Sequence, residues 1–316
     1  MIAYQTHPAL DPARLRARAG GENFPVALHV LPPRWRRELL ALYGFARLVD
    51  EAGDATAEDE RLALLDAIEA DLLRLFAGGG AGAGGEGEGG AAREGAGARG
   101  DGGETEMGME AVHPLLQALR PLIERGALRP EPLQRLIEAN RRDQVVTRYA
   151  TWGELLDYCA HSANPVGECV LRLAGADSPE RLAWSDAICS ALQVIEHCQD
   201  VVEDHRSGRI YLPQEDLAWA GCEEADLEQR PATPALRRVL RRCAERARGL
   251  LQRGAPLPGT LRGPARLAVS AFIGGGHAAL DALERADYDV TGGAAGVQAG
   301  RPARLGAAAR AWRRVR

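Results

Sequence analysis

Four aspartates pose the chemical question in this sequence. Asp50 and Asp54 stand four residues apart in ALYGFARLVDEAGD (41–54), and Asp200 and Asp204 repeat the spacing in QVIEHCQDVVEDHRSGRIYLP (193–213). At about 100° per residue, Tyr43, Arg47, Asp50 and Asp54 fall within roughly a 60° arc of one helix, and Gln193, His197, Asp200 and Asp204 share another arc at the same offsets. Packing residues accompany both, Leu39 and Leu40 on or beside the arc just before the first segment and Val194, Ile195, Val201 and Val202 in the second. Like charges at this spacing weaken a helix by a few tenths of a kcal/mol, and a buried unpaired carboxylate costs several kcal/mol, so a compensating cation is required.

The ligand set selects the ion. Carboxylates without a cysteine pair or paired histidines favour a hard, oxygen-loving cation, Mg²⁺ first and Mn²⁺ as the alternative. Mg²⁺ takes one or two carboxylates and fills its octahedron with water and phosphate oxygens, so two facing pairs predict a substrate carrying a diphosphate. Glu203 adds a fifth candidate ligand, whereas His197 and Cys198 stand alone and read as core or supporting residues. One DxxxD is most often a solvated helix face; the matched pair carries the argument.

The elements that must position these residues are helices. RLALLDAIEADLLRLF (61–76), PLLQALRPLIERGAL (114–128) and ALRRVLRRCAERARGLLQRG (235–254) carry apolar residues at helical spacing, and strand-like alternation is nearly absent. An all-α bundle in one domain over 1–316 is expected. Residues 77–105 are glycine-rich without a large apolar side chain and read as a disordered insertion; 291–316 reads as a flexible tail whose last residues could form a basic helix on anionic lipid. Within GELLDYCAHSANPVGECVLRLAG, Pro165 either kinks a continuing helix beside Asn164 and Gly167 or marks a helix end at Asn164.

Composition narrows the rest. A net charge of −5 offers no electrostatic footprint for nucleic acid, and the basic residues are all arginine, a compositional bias rather than a site signal. The six cysteines have no CxxC spacing, which suits a reducing cytoplasm without structural zinc. No segment has the length of a transmembrane helix, so a cytoplasmic protein is expected, with peripheral contact at the inner face of the membrane left open. No glycine-rich dinucleotide fingerprint follows a strand, and NADPH is not expected.

These residues resemble the squalene/phytoene synthase family, whose two motifs are Y-x-x-x-R-x-x-D-x-x-x-D and Q-x-x-N-x-x-x-D-x-x-x-D followed by R-I-Y-x-P. Tyr43, Arg47, Asp50 and Asp54 match the first, and Gln193, Asp200, Asp204, Arg209, Ile210, Tyr211 and Pro213 the second. ENFPVA (22–27) and SANPVG (162–167) look like the hydroxysqualene synthase branch associated with hopanoids. The resemblance implies the isoprenoid synthase fold, a helical bundle around an apolar cavity with metal-binding carboxylates at its mouth. It implies conversion of presqualene diphosphate to hydroxysqualene, with Tyr43, Arg47, Tyr149, Asn164 and Tyr211 as catalytic residues. Phe24, Arg47, Gly167, Gln193, Glu196 and Arg209 would bind substrate, and Asp50, Asp54, Asp200, Glu203 and Asp204 the metal. Contact with other enzymes of the squalene and hopanoid pathway is a further expectation.

Two positions depart from the family pattern. Glu22 replaces a basic residue that grips a second prenyl diphosphate, which suits an enzyme taking one preassembled molecule; Glu196 replaces an asparagine beside the metals. The rival readings are a synthase condensing two prenyl diphosphates head to head, against which Glu22 speaks, and a catalytically silent assembly protein, which would have no use for a costly carboxylate cluster.

Overall fold

The computed structural model describes residues 4–18, 31–54, 57–79 and 112–292. Among them there is no strand, only an isolated parallel bridge between Arg148 and Ile210. Nine helices build the site: α1 (Pro33–Asp54), α2 (Glu58–Gly79), α3 (Pro130–Arg142), α4 (Trp152–Ser162), α5 (Asn164–Leu173), α6 (Pro179–Gln199), α7 (Val201–Arg206), α8 (Pro234–Gly254) and α9 (Gly263–Arg285).

Local chemistry starts them. Proline stands in the first turn of α3, α5, α6, α8 and α9, where its fixed φ suits the helix and its missing N–H has no helical partner to lose. Thr151 caps α4 by accepting from the Glu154 amide at 3.2 Å, and Thr233 caps α8 by accepting from Leu236 at 3.2 Å. Helix α8 shows how the rest follows: Leu236, Val239, Leu240, Cys243, Ala247, Leu250 and Leu251 recur at steps of three and four and are buried, while arginines take the other face. Each such leucine contributes about 1.5–3 kcal/mol by leaving water.

The buried side chains form two main clusters. Phe45, Leu48, Leu65, Ile68, Leu72 and Ile137 centre the one shared by α1, α2 and α3. Leu155, Ile188, Val194, Val239, Leu251 and Leu280 centre the other, shared by α4, α6, α8 and α9. Helix α5 contributes to both, Cys169 to the first and Leu171 to the second.

Three sequence expectations change. Helix α2 continues through Gly79, so 77–79 belong to it and not to the glycine-rich insertion; the rest of that insertion, apart from this turn, lies outside the described residues, as does the tail beyond Gly292. Around Pro165 the chain neither kinks within one helix nor stops: α4 ends at Ser162, Ala163 alone leaves helical geometry (φ −122°, ψ −46°), and α5 restarts at Asn164 with proline in its first turn. The second aspartate motif does not lie on one helix. The chain breaks at Asp200 (φ −102°, ψ 13°), between α6 and α7, although the Asp200 amide still bonds to the Glu196 carbonyl and the Asp204 amide to that of Asp200.

Candidate active site

The C-terminal end of α1 and the α6–α7 junction meet at the segment following α7. Ile210 donates its amide to the Thr147 carbonyl at 2.9 Å and Gln214 to that of Tyr149 at 2.9 Å, which fixes the RIYLP stretch beside the residues between α3 and α4. Arg209 then reaches across to α1, Nη2 donating to Asp54 Oδ1 at 2.6 Å. Burial works against the Arg209 charge, but the Asp54 bond and charge outweigh it and hold the guanidinium more firmly protonated than usual.

Asp50 is braced on two sides. Asn140 Nδ2 of α3 donates to Oδ1 at 3.3 Å, and Arg47 lies one turn back at 3.7 Å. Gly53 permits the first contact, since a Cβ there would stand 2.6 Å from Asn140 Oδ1. Burial still pushes the Asp50 carboxyl up to about 6, with Asp54 and Asp143 adding to the rise and Arg47 and Asn140 opposing it. Yet 45% of this side chain meets solvent. A carboxylate crowded by protein and still reachable by water lines a cleft.

Asp200 is also pushed up to about 6, first by burial and then by the charges of Asp204 and Glu203, with only His197 opposing. His197 Nδ1 lies 3.7 Å from Asp204 Oδ2, and its other ring nitrogen meets Gln193 Nε2 at 3.3 Å. Glu203 is exposed and faces a pocket of about 370 Å³ shared with Asp200, Arg206 and Arg230.

The aromatic residues converge below these carboxylates. His197 stacks on Tyr211 at 3.9 Å and 14°, and Tyr211 touches Tyr149 and Tyr158 at centroid distances of 5.7 and 5.3 Å. At their edge lies Asp143, a residue that sequence reasoning missed. It accepts from Tyr158 Oη at 2.8 Å and Tyr211 Oη at 3.2 Å, and burial pushes it up to about 6 despite Tyr158, Arg209 and His197. A signal existed: Asp143 caps the C-terminus of α3, where a negative charge opposes the helix dipole. Asn140, one turn earlier, carried none.

The other candidates spread over two places. Tyr43 is buried in α1, and Tyr149 Oη is buried without a hydrogen-bond partner among the described residues. Asn164 is buried and accepts from Ser190 Oγ at 3.0 Å. Gly167 lines an apolar pocket of about 80 Å³ with Val170, Ser185, Ile188, Leu192 and Phe272. Its aromatic face among the described residues is Phe272, not Tyr43 or Tyr149; Phe24 and Glu22 lie outside the described residues. Glu196 is exposed, on the stripe of α6 that runs from Ser185, Cys189 and Leu192 to Asp200, and it helps burial to raise the Cys159 thiol. A larger groove of about 550 Å³, lined by Arg34, Leu40, Leu115 and Arg125, opens at the other end of α1, away from the aspartates.

No group of three or more His, Cys, Asp or Glu side chains among the described residues stands close enough to hold a metal by itself. The donor chemistry nevertheless fits a hard cation. Two carboxylates, one in each pair, are held above their ordinary range chiefly by burial, and an ion that keeps most of its shell as water and phosphate needs only one or two of them.

Comparison with known proteins gives the family. The family model for squalene/phytoene synthases matches residues 17–306. A hydroxysqualene synthase from Rhodopseudomonas palustris is 35% identical over 244 residues, covering 76% of this chain and 72% of that protein. A 15-cis-phytoene synthase from Synechococcus elongatus is 29% identical over 282 residues, covering 85% and 82%. The crystal structure of squalene synthase HpnC from Alicyclobacillus acidocaldarius superimposes with a TM-score of 0.71 at 36% identity, covering 89% of this chain and 95% of that one. The chain is therefore an enzyme of the squalene/phytoene synthase family, built on the isoprenoid synthase fold.

Proposed function

We propose that the enzyme converts presqualene diphosphate and water into hydroxysqualene and diphosphate. The observation that carries the reading is the course of one helix stripe: Ser185, Cys189 and Leu192 wall an apolar pocket, and the same stripe ends at Asp200, across from the Asp54–Arg209 bridge. An apolar wall and an acidic end on one helix face suit a diphosphate ester of a hydrocarbon, of which this pocket of about 80 Å³ receives a few carbons. Likeness to hydroxysqualene synthases, and an acidic Glu22 where a second diphosphate would need a basic residue, favour one preassembled substrate over two.

A bound Mg²⁺ or Mn²⁺, held by Asp50, Asp54, Asp200 and Asp204 with Glu203 at the rim, would supply Lewis-acid stabilisation of charge on the diphosphate. Arg47 and Arg209 offer forked N–H donors to its oxygens, and Gln193 lies beside His197 in reach of the same end. The C–O bond to the diphosphate breaks, its electron pair leaving with the phosphate oxygen, and a cyclopropylcarbinyl cation remains. The apolar pocket keeps water from that cation while it rearranges. The Phe272 ring, on the wall of that pocket, presents an electron-rich face toward positive charge. Water then forms the new C–O bond and gives up a proton to a carboxylate. Tyr149 Oη, without a partner among the described residues, and Asn164 are the polar groups suited to orient that water.

The experiment incubates purified protein and Mg²⁺, without NADPH, with presqualene diphosphate or with farnesyl diphosphate. Hydroxysqualene from the first is the expected result. Turnover of farnesyl diphosphate alone would replace this reading with head-to-head condensation.

A further inference from the structure

The groove of about 550 Å³ at the start of α1 has a charged end and an apolar end. One wall is α1, where Arg34, Arg37, Leu40 and Ala41 recur at steps of three and four. The other carries Leu115, Ala118, Leu122 and Arg125, on and after the short helices Pro114–Gln117 and Arg120–Glu124. The two walls run in opposite directions. A Cβ on Gly44 would stand 3.0 Å from Leu115 Cδ2, whereas Arg125 Nη1 donates to Glu38 Oε1 at 2.6 Å. Arginines therefore gather at one end, and leucine and alanine at the other. One carboxylate opposes them: Glu38 is buried and accepts from Arg34 Nε at 2.8 Å as well as from Arg125. Burial works to raise the Glu38 carboxyl, but the two arginines outweigh it and hold it below its ordinary range. Arg37 is exposed and has no ion-pair partner among the described residues. Three guanidiniums against one carboxylate leave a net of about two positive charges, in the first turns of α1, where the helix dipole adds to them.

We propose that this groove binds a single-chain amphiphilic anion, its hydrocarbon lying against Leu40, Ala41 and Leu115 and its carboxylate or phosphate held by Arg37 with Arg34 and Arg125. The volume falls within the range of about 300–1,000 Å³ common to small-molecule sites, and guanidinium forks match both kinds of anionic oxygen. The apolar surface is recessed: Leu115 and Leu122 are 2% and 3% exposed, and Leu40, at 40%, alone reaches out. A surface built to enter a bilayer turns its apolar side chains outward. This one receives a free molecule. The site is separate from the aspartates, because Arg37 to Asp50 spans about 20 Å of helix at about 1.5 Å per residue. It is therefore independent of the reaction proposed for them.

The test titrates full-length protein, without Mg²⁺, with decyl phosphate below its micelle concentration, by calorimetry. Saturable binding is expected, with decanol and inorganic phosphate each at least about tenfold weaker, since each offers only half of the recognition. Arg37→Gln should weaken decyl phosphate by roughly tenfold, the scale of one hydrogen bond to a charged group, and Leu40→Gln by about threefold. Both side chains are exposed, and thermal melts check that the variants are folded. Arg253→Gln, at an exposed arginine of α8, should change nothing. Absence of saturable binding, equal affinity for decanol, unchanged affinity in either groove variant, or an equal loss in Arg253→Gln would overturn the inference. Capture of the protein by phosphatidylglycerol vesicles without binding of free decyl phosphate would overturn it too, because the face would then be a bilayer contact. Neither groove variant touches the aspartates and no turnover is read, so a failed presqualene diphosphate assay leaves these results standing.

Discussion

The two aspartate pairs share a spacing and little else. Asp50 and Asp54 ride the last turn of an unbroken helix and are already compensated: Arg47 and Asn140 attend the first, and Arg209 bonds the second at 2.6 Å. Asp200 and Asp204 straddle a helix break, and their neighbours are Glu203, a like charge, and His197, a cation only when protonated. One pair is a finished salt-bridge network; the other is a charge deficit. An incoming divalent ion therefore gains most at Asp200 and Asp204, where nothing must be displaced, whereas at Asp54 it competes with a guanidinium.

The sharpest way to break this comparison is to remove one carboxylate from each side. Asp200→Ala should lower turnover by about a thousandfold or more while helical circular dichroism is retained, and Asp54→Ala by about ten- to a hundredfold, since Arg209 remains to meet the diphosphate. Equal losses would erase the distinction. Next in size is a pH effect. Asp50 and Asp200, both near 6, take up protons as the solution is acidified, and a metal must displace them. Mg²⁺ affinity should thus fall by roughly tenfold per unit for each carboxylate protonated below about pH 6, read by calorimetry.

Much of the fold and half of the site logic were legible in the sequence, for a physical reason: a 3.6-residue period and an i, i+4 carboxylate pair are local properties of one helix. The unequal compensation was not. It depends on Arg209 and Asn140 arriving from segments distant in sequence, and on a break at Asp200 within a run that shows neither proline nor glycine. Asp143 was hidden for the same reason, because its partners Tyr158 and Tyr211 reach it from segments distant in sequence. Glu196, a departure by family pattern, stands exposed on the helix face between the pocket wall and Asp200.

Two smaller effects sharpen the picture of what lies between the pairs. Tyr158→Phe takes a hydrogen bond from the buried Asp143 and should cost about 1–3 kcal/mol in urea unfolding. Asp143 near 6 also has a sign of its own. Its folded value lies above the unfolded one, so the folded protein binds the proton more tightly, and the Asp143 contribution to metal-free stability is fully present below about pH 4 and is lost as pH rises through 6. Asp143→Asn should flatten that slope in thermal melts across this window.

The most direct measurement counts Mn²⁺ bound in the presence of inorganic diphosphate, by electron paramagnetic resonance, in wild-type protein, Asp54→Asn and Asp200→Asn. The account predicts saturable binding in the wild type, a modest loss of affinity in Asp54→Asn and near-complete loss in Asp200→Asn. Binding that survived Asp200→Asn unchanged would contradict it.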